Sequence, residues 1–273
     1  MATVLVISSQ VAASRVGASA GAFVLRRLGH EAIVLPTVLL GRHPGWGAPG
    51  GGAIPAAHLR SVWEAVRAQD VPIDAVQTGY FADASQIALA AEIIDALAPP
   101  TVMVDPVIGD DPRGATSRGA TLRKDGDGLY VAETVANAIR DQLVPRAHIV
   151  TPNAWEHGWL TAARPIPGGV AELITSYDVG PERIGALYRD RDTALSVAHE
   201  RFADVPHGGG DTLAALWLAH ALEGLAPAAN LARSVGGVLG LLRAATQADR
   251  RELPLAREQH HLLAPEPLQV THI

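Results

Sequence analysis

Along the chain, short continuous apolar runs alternate with longer stretches in which apolar residues recur every three or four positions. Thr3–Ser8 is β-branched and continuous, the pattern of a strand buried on both faces. A helix is predicted over Gly17–Leu28, with Arg26 and Arg27 near its end and Gly29 as its stop. Glu31–Thr37 predicts a second strand, and Gly41–Pro55 a Gly/Pro-rich loop long enough to carry function. Helix Ala56–Ala68, strand Ala75–Thr78, helix Asp83–Leu97 with Asp83 as N-cap, and strand Thr101–Asp105 closed by Pro106 follow. A polar loop from Gly109 to Gly128 precedes helix Tyr130–Leu143, strand His148–Thr151 and a short helix over Asn153–Leu160. Beyond a Pro/Gly-rich stretch at Thr161–Gly169, Ala171–Ser176 reads as a strand and Arg183–Ala203 as antiparallel edge strands. Two apolar helices, Gly210–Leu222 and Ala228–Thr246, complete the pattern.

Strands and helices that alternate in this way predict an α/β fold, a mostly parallel sheet with helices on both faces. No linker or repeat divides residues 1–273, so a single domain is expected. Ligands of such sheets bind at the carboxyl ends of the strands. Composition sharpens this picture. Apolar residues are 48% of the chain, charged residues 18% and aromatics 4%, so the core is built from Ala, Val, Leu and Ile. The formal charge of −6, with basic residues scattered, argues against nucleic acid as partner. The absence of cysteine excludes disulfides, thiolate catalysis and Cys-based zinc sites. The first residues run straight into an apolar strand without a basic leader, and no run is long enough to span a membrane; a cytoplasmic protein is expected.

Three segments at predicted strand ends carry the chemistry. His207-Gly208-Gly209-Gly210-Asp211-Thr212 opens an apolar helix. Its glycines let backbone amides approach an anion, the helix N-terminus adds positive potential, and Asp211 is placed to take a proton from an attacking hydroxyl. An ordinary Gly-rich turn with Asp in the first helical turn explains the same residues. Neither rival glycine motif fits: there is no Gly-Lys-Ser/Thr, and Leu213 occupies the last position of Gly-x-Gly-x-x-Gly. Asp105-Pro106-Val107-Ile108-Gly109-Asp110 puts two carboxylates near the ligand edge, suited either to Mg²⁺ or simply to starting a turn. In Thr151-Pro152-Asn153-Ala154-Trp155-Glu156, Asn153 is a helix cap and Glu156 a third carboxylate.

Taken in order, these segments resemble the pyridoxal kinase family of the ribokinase-like superfamily. The opening Val4–Val11 followed by Val16-Gly17, the loop Thr37–Gly45, Thr78-Gly79-Tyr80, the Asp105–Asp110 run, Leu129-Tyr130-Val131, Thr151–Glu156, Thr175-Ser176 and Gly208–Asp211 match the family from about Thr3 to about Thr246. The resemblance implies a three-layer sandwich and ATP-dependent phosphorylation of the 5′-hydroxyl of pyridoxal, extending to pyridoxine and pyridoxamine. It implies Asp211 as catalytic base, Gly208, Gly209 and Gly210 as anion hole, and Ser9, His43 and Tyr80 as ring-binding residues. Asp110, Thr151, Asn153, Thr175 and Ser176 would face the nucleotide, and Asp105, Asp110 and Glu156 would serve Mg²⁺. A homodimer and a monovalent cation such as K⁺ near the nucleotide are implied as well.

The chain departs from the family pattern in three places. Gly209 stands where the family has threonine, so one hydroxyl donor is missing; such a donor is worth about 2.7–4 kcal/mol in a transition state. The segment from Leu160 to Ile174 is short, and Pro165–Gly169 can form neither helix nor strand, which predicts a sheet face left bare or covered differently, for instance by a partner subunit. Arg113–Lys124 reads as an inserted basic loop, either a lid over ATP or a solvated excursion. Asp125-Gly126-Asp127-Gly128 lacks calcium-loop spacing, and His260-His261 reads as part of an exposed polar tail. Two rival functions stay open: a kinase for hydroxymethylpyrimidine or another small alcohol, and a catalytically weak paralogue that binds pyridoxal.

Overall fold

The computed structural model describes residues 1–112 and 128–273; the basic 113–124 stretch and residues 125–127 lie outside the described residues. The elements in chain order are β1 (Thr3–Val11), α1 (Ala18–Arg27), β2 (Glu31–Leu40), β3 (Gly51–Ala53), α2 (Ala56–Arg67), β4 (Ala75–Thr78), α3 (Ala84–Leu97) and β5 (Thr101–Val104). They continue with α4 (Glu133–Ala138), β6 (Ile149–Val150), α5 (Ala154–Ala163), β7 (Ala171–Gly180), β8 (Arg183–Arg189), β9 (Ala194–Glu200), α6 (Gly209–Leu222), α7 (Pro227–Gln247), α8 (His260–Leu263) and β10 (Thr271–His272). One 10-stranded sheet runs β10-β9-β8-β7-β6-β5-β4-β1-β2-β3. Its centre, from β2 to β7, is parallel, and its two margins are antiparallel.

Alternation along each strand separates two cores, because successive side chains point to opposite faces of the sheet. Val4 and Val6 of β1 pack with α1, α6 and α7. Leu5 and Ile7 pack with α2, α3 and α4 on the other face. The result is the expected three-layer sandwich. α6 is buried all the way round from Thr212 to His220, as its uniformly apolar sequence requires. It is tied to α7 by a buried chain: Asn230 Nδ2 donates to the Trp217 carbonyl (3.0 Å), and Ser234 Oγ donates to Asn230 Oδ1 (2.8 Å) while pairing with His220 Nδ1 (2.9 Å).

Several elements differ from the sequence expectations. The 41–55 loop contains a 3₁₀ turn at Pro44–Trp46, and β3 folds it back antiparallel onto the end of β2. The helix predicted over Tyr130–Leu143 starts at Glu133 and passes into a π-helical turn (Ile139–Leu143) and a 3₁₀ turn (Val144–Arg146), where Pro145 withholds an amide. Of the two outcomes expected near Leu160–Ile174, the face is covered differently and not bare. α5 runs through Ala163 before the prolines intervene, Leu160 and Val170 are buried, and Trp155, Trp159 and Ile166 pack over the same core. The C-terminal segment is likewise no free tail: Leu253, Leu255 and Leu262 are buried, and β10 extends the sheet edge. In it His260 is exposed and His261 half-buried against α7, with ligand atoms of both within 4.8 Å of Glu258, away from the strand ends described below. No helix among the described residues is long and apolar enough to cross a membrane.

Candidate active site at the carboxyl edge of the sheet

β1 is flanked by β2 on one side and β4 on the other, so the strand order reverses at β1, the arrangement that in α/β sheets sets a crevice at the carboxyl ends of the strands. Ser8 and Ser9 end the buried part of β1, and Thr78-Gly79-Tyr80 ends β4. The Ser8 hydroxyl accepts from the Tyr80 amide (3.3 Å), and the Thr37 hydroxyl of β2 donates to the Tyr80 carbonyl (2.6 Å). Gln86, fully buried, donates to the carbonyls of Thr37 and Ile54 (both 2.7 Å) and accepts from the Ala82 amide (3.0 Å). That amide side chain fastens the 37–54 loop to the β4 end, and nothing in the local sequence marked it. Burial raises the Tyr80 phenol above its ordinary value, so it stays protonated.

The glycine turn lies across this crevice. Gly208 caps α6 in the left-handed region (φ 96°), and a β-carbon there would meet the Arg15 carbonyl at 2.3 Å, so only glycine fits. Gly209 is different: a β-carbon would find only Val238 Cγ1, at 4.0 Å, and one on Gly210 would meet open space. The missing threonine at 209 is therefore no consequence of crowding. Gly208 and Gly209 are half-buried and Gly210 is exposed, leaving the turn accessible. Asp211 follows in the first turn of α6. Burial pushes its carboxyl up, while hydrogen bonds from the Gly17 backbone amide and its own pull it back.

Asp105 is buried at the end of β5. Its carboxyl is held well above the usual range, first by burial and then by the charges of Asp211 and Glu156; the Thr151 hydroxyl beside it works the other way. Asp105 and Asp211 therefore share one electrostatic neighbourhood. The Asp105 amide also donates to the Thr78 carbonyl (3.1 Å), whose own hydroxyl is buried without a protein partner.

Glu156 sits deeper than its sequence position suggests. It completes a capping box on α5, with its amide donating to Asn153 Oδ1 (2.8 Å) and the Asn153 amide donating to Glu156 Oε2 (2.9 Å). Its Oε1 accepts from the amides of Ile108 (2.7 Å) and Gly109 (3.2 Å), and Asn153 Nδ2 donates to the Gly109 carbonyl (2.9 Å). Both residues thus brace the Asp105–Asp110 loop, which needs bracing. Val107 is β-branched yet has φ 44°, a conformation costing about 1–3 kcal/mol. Gly109 leaves no room for a side chain, since a β-carbon would lie 2.4 Å from both the Gly128 carbonyl and the Trp155 ring. Despite its amide partners, burial lifts Glu156 to about 7.

Asp110 is raised by burial, with the Tyr130 hydroxyl and the Asp111 amide (2.8 Å) as partners; Tyr130 is raised in turn. On the far side, the Thr175 amide donates to the Pro152 carbonyl (2.9 Å), which sets β7 beside the Asn153 cap. Ser176 is exposed, with φ 53° at an irregularity in the β7–β8 pairing. His43 stands apart from these acids. It stacks on His207, with ring centroids 4.3 Å apart and planes at 29°, and burial followed by the charge of His207 lowers it to about 4. The partnership of His207 escaped the sequence reading, although its place directly before the glycines was a usable signal.

Comparisons with known proteins agree with this fold. The phosphomethylpyrimidine kinase family model matches residues 47–168. The solved pyridoxal kinase of Entamoeba histolytica superimposes with a TM-score of 0.86 over 100% of both chains at 21% identity. That of Leishmania donovani, in complex with ADP and pyridoxamine, does so with a TM-score of 0.86 over 100% of both chains at 23% identity. At those identities the likeness establishes the fold. The sequence relationship is carried by the pyridoxal kinase of Corynebacterium diphtheriae, 30% identical over 96% of both chains. It is carried equally by that of Rubrobacter xylanophilus, 31% identical over 96% of this chain and 94% of the relative. Identity of that extent shows the family: the chain belongs to the pyridoxal kinase family of the ribokinase-like superfamily.

Proposed function

We propose that the chain transfers the γ-phosphoryl group of ATP to the 5′-hydroxyl of pyridoxal, and of pyridoxine and pyridoxamine, yielding the 5′-phosphate and ADP. The observation that carries this reading is the head of α6, where an accessible glycine turn is followed at once by a carboxylate whose neighbour is Asp105. Asp211 takes the hydroxyl proton as the oxygen attacks phosphorus and the bond to the β–γ bridging oxygen breaks. Its raised pKa makes it a better base than an ordinary carboxylate. The amides of Gly208, Gly209 and Gly210, at the positive end of α6, take the charge that spreads over the migrating group. Ser9, His43 and Tyr80 hold the vitamin ring at the β1–β4 crevice. Asp110, Thr151, Asn153, Thr175 and Ser176 face the nucleotide.

Mg²⁺ fits the oxygen donors of this edge: Asp105 is crowded by Asp211, and the Thr78 hydroxyl has no protein partner. Asp105 and Asp110 would hold it. Glu156, whose oxygens already accept three amides, would act on it through water. Bound there with ATP, the ion supplies charge neutralisation between the phosphates. A K⁺ ion near the nucleotide, a homodimer and a cytoplasmic location complete the reading on family resemblance; light scattering tests the dimer.

The test is a coupled assay of ADP release with pyridoxal, pyridoxine, pyridoxamine and hydroxymethylpyrimidine. Turnover with the vitamers, lost in Asp211→Asn with the fold intact, is expected. Preference for hydroxymethylpyrimidine, or vitamer turnover unaffected by Asp211→Asn, would overturn the assignment.

A further inference from the structure

His207 directly precedes the anion-binding turn, and its backbone is pinned. Its amide donates to the Arg251 carbonyl (2.8 Å), its carbonyl accepts from the Leu253 amide (3.3 Å), and it bridges Glu252 in parallel. Glu252 is buried in turn and accepts from the Arg15 amide (3.2 Å). His207 therefore rides on a strap joining the C-terminal segment to the glycine turn. His43 has the opposite setting, in a loop carrying Gly41, Gly45, Gly47, Gly50, Gly51 and Gly52. Such a loop is costly to order, because glycine loses most backbone freedom when fixed. His43 itself is held by three hydrogen bonds: its amide donates to Ser14 Oγ (3.2 Å), its carbonyl accepts from the Trp46 amide (3.0 Å), and its Nδ1 accepts from the Gly45 amide (3.1 Å). Its ring stacks on His207.

We propose that His207 is a positioning residue for the vitamin: stacked on His43, it fixes the imidazole that meets the substrate ring and sets the 41–53 loop in register with the anion-binding turn. The idea rests on the kinase reading, in which His43 contacts the ring. Its chemistry follows from the hydrogen bonds. A neutral His43 whose Nδ1 accepts from Gly45 carries its proton on Nε2, so it presents a donor to an acceptor atom on the pyridine ring. Burial and the neighbouring imidazole keep His43 neutral at physiological pH. Stacking holds the plane of that donor without competing for its proton. The substrate-holding loop and the phosphoryl-binding turn, far apart in sequence, thereby share one aromatic contact.

The experiment compares His207→Ala and His207→Phe with wild type for pyridoxal binding by calorimetry, KM for pyridoxal, KM for ATP, kcat and melting temperature. His207→Ala should weaken pyridoxal binding and raise its KM roughly fivefold, about what one aromatic pair is worth. KM for ATP and kcat should stay within about twofold, and His207→Phe, which keeps a ring to stack, should recover most of the loss. The proposal falls if His207→Ala leaves pyridoxal affinity unchanged, if ATP affinity falls in parallel, or if Phe behaves as Ala. Wild type that binds pyridoxal in a His207-dependent way without turnover would sink the kinase reading and sustain this one. Wild type that does not bind pyridoxal at all would sink both.

Discussion

One acid of β7 and four acids at the carboxyl edge of the sheet are treated in opposite ways. Glu172 of β7 receives Arg189 of β8 through both oxygens (2.8 and 3.0 Å) and His157 of α5 (2.8 Å). Burial alone would raise it, yet these partners hold its carboxyl below the ordinary value. At the carboxyl edge, none of the ion pairs among the described residues reaches Asp105, Asp110, Glu156 or Asp211, and all four are raised. Glu172 needs nothing from outside and stitches α5, β7 and β8 together. The edge acids are left crowded, an arrangement that costs stability and suits a site awaiting a cation, a phosphate-bound metal or a proton.

The sharpest way to break that contrast is Asp211→Asn. Loss of a positioned general base should reduce kcat by about 10²–10⁴-fold. Relief of like-charge crowding with Asp105 should leave the melting temperature unchanged or higher. An equal loss of activity and melting temperature would make Asp211 a structural acid.

Next comes Glu156. Its folded pKa, about 7, lies above the usual 4.5, so the folded state holds a proton that the unfolded chain gives up more readily. Its contribution to stability is fully present below about pH 4.5 and is lost as pH rises through about 7, by at most about 3 kcal/mol. Chemical denaturation between pH 5 and 8, as an experimental range of about three units, should show stability falling with pH, and Glu156→Gln should flatten that slope. Saturating Mg²⁺ should stabilise the protein more at the alkaline end, where the acids are charged. A rising slope would contradict the assignment.

Gly209→Thr probes the proposed anion-binding turn from the other direction. Space at that position is free of close contacts, so the hydroxyl should enter without strain and raise kcat by roughly tenfold, less than an optimised donor is worth. An unchanged kcat would show that the amides suffice. The smallest effect belongs to Arg189→Ala. Arg189 is 44% exposed, so its loss should cost only about 1 kcal/mol of stability, with kcat unaltered. A fall in kcat would connect the β7–β8 margin to catalysis and dissolve the contrast between the two groups.

Strand and helix alternation, the caps at Asp83 and Asn153, and the antiparallel margin after Arg183 were legible because each depends on residues within a few positions of one another. The helix before β6 was less so. Its periodicity is apolar from Tyr130, but the Tyr130 amide goes to the Ile108 carbonyl and helix begins at Glu133. The short 160–174 segment left open whether the face would be bare or covered differently, because the lost helix is visible in sequence and its replacement is not; the tryptophans of α5 fill the space. Gln86 and the strap at Glu252 carried no local signal, and for His207 the one signal was its place directly before the glycines. Their partners lie 49, 32 and 4 residues away for Gln86, and the Arg15–Glu252 contact spans 237.

By itself the sequence determined the layer architecture and singled out the acids and glycines proposed for the carboxyl edge, since periodicity and turn chemistry are short-range properties. Only the tertiary structure decided how those acids behave. Desolvation and charge proximity belong to the packed state, and they alone set Asp211 beside Asp105, commit Glu156 to the amides of a strained loop, and lay the His43 ring against His207.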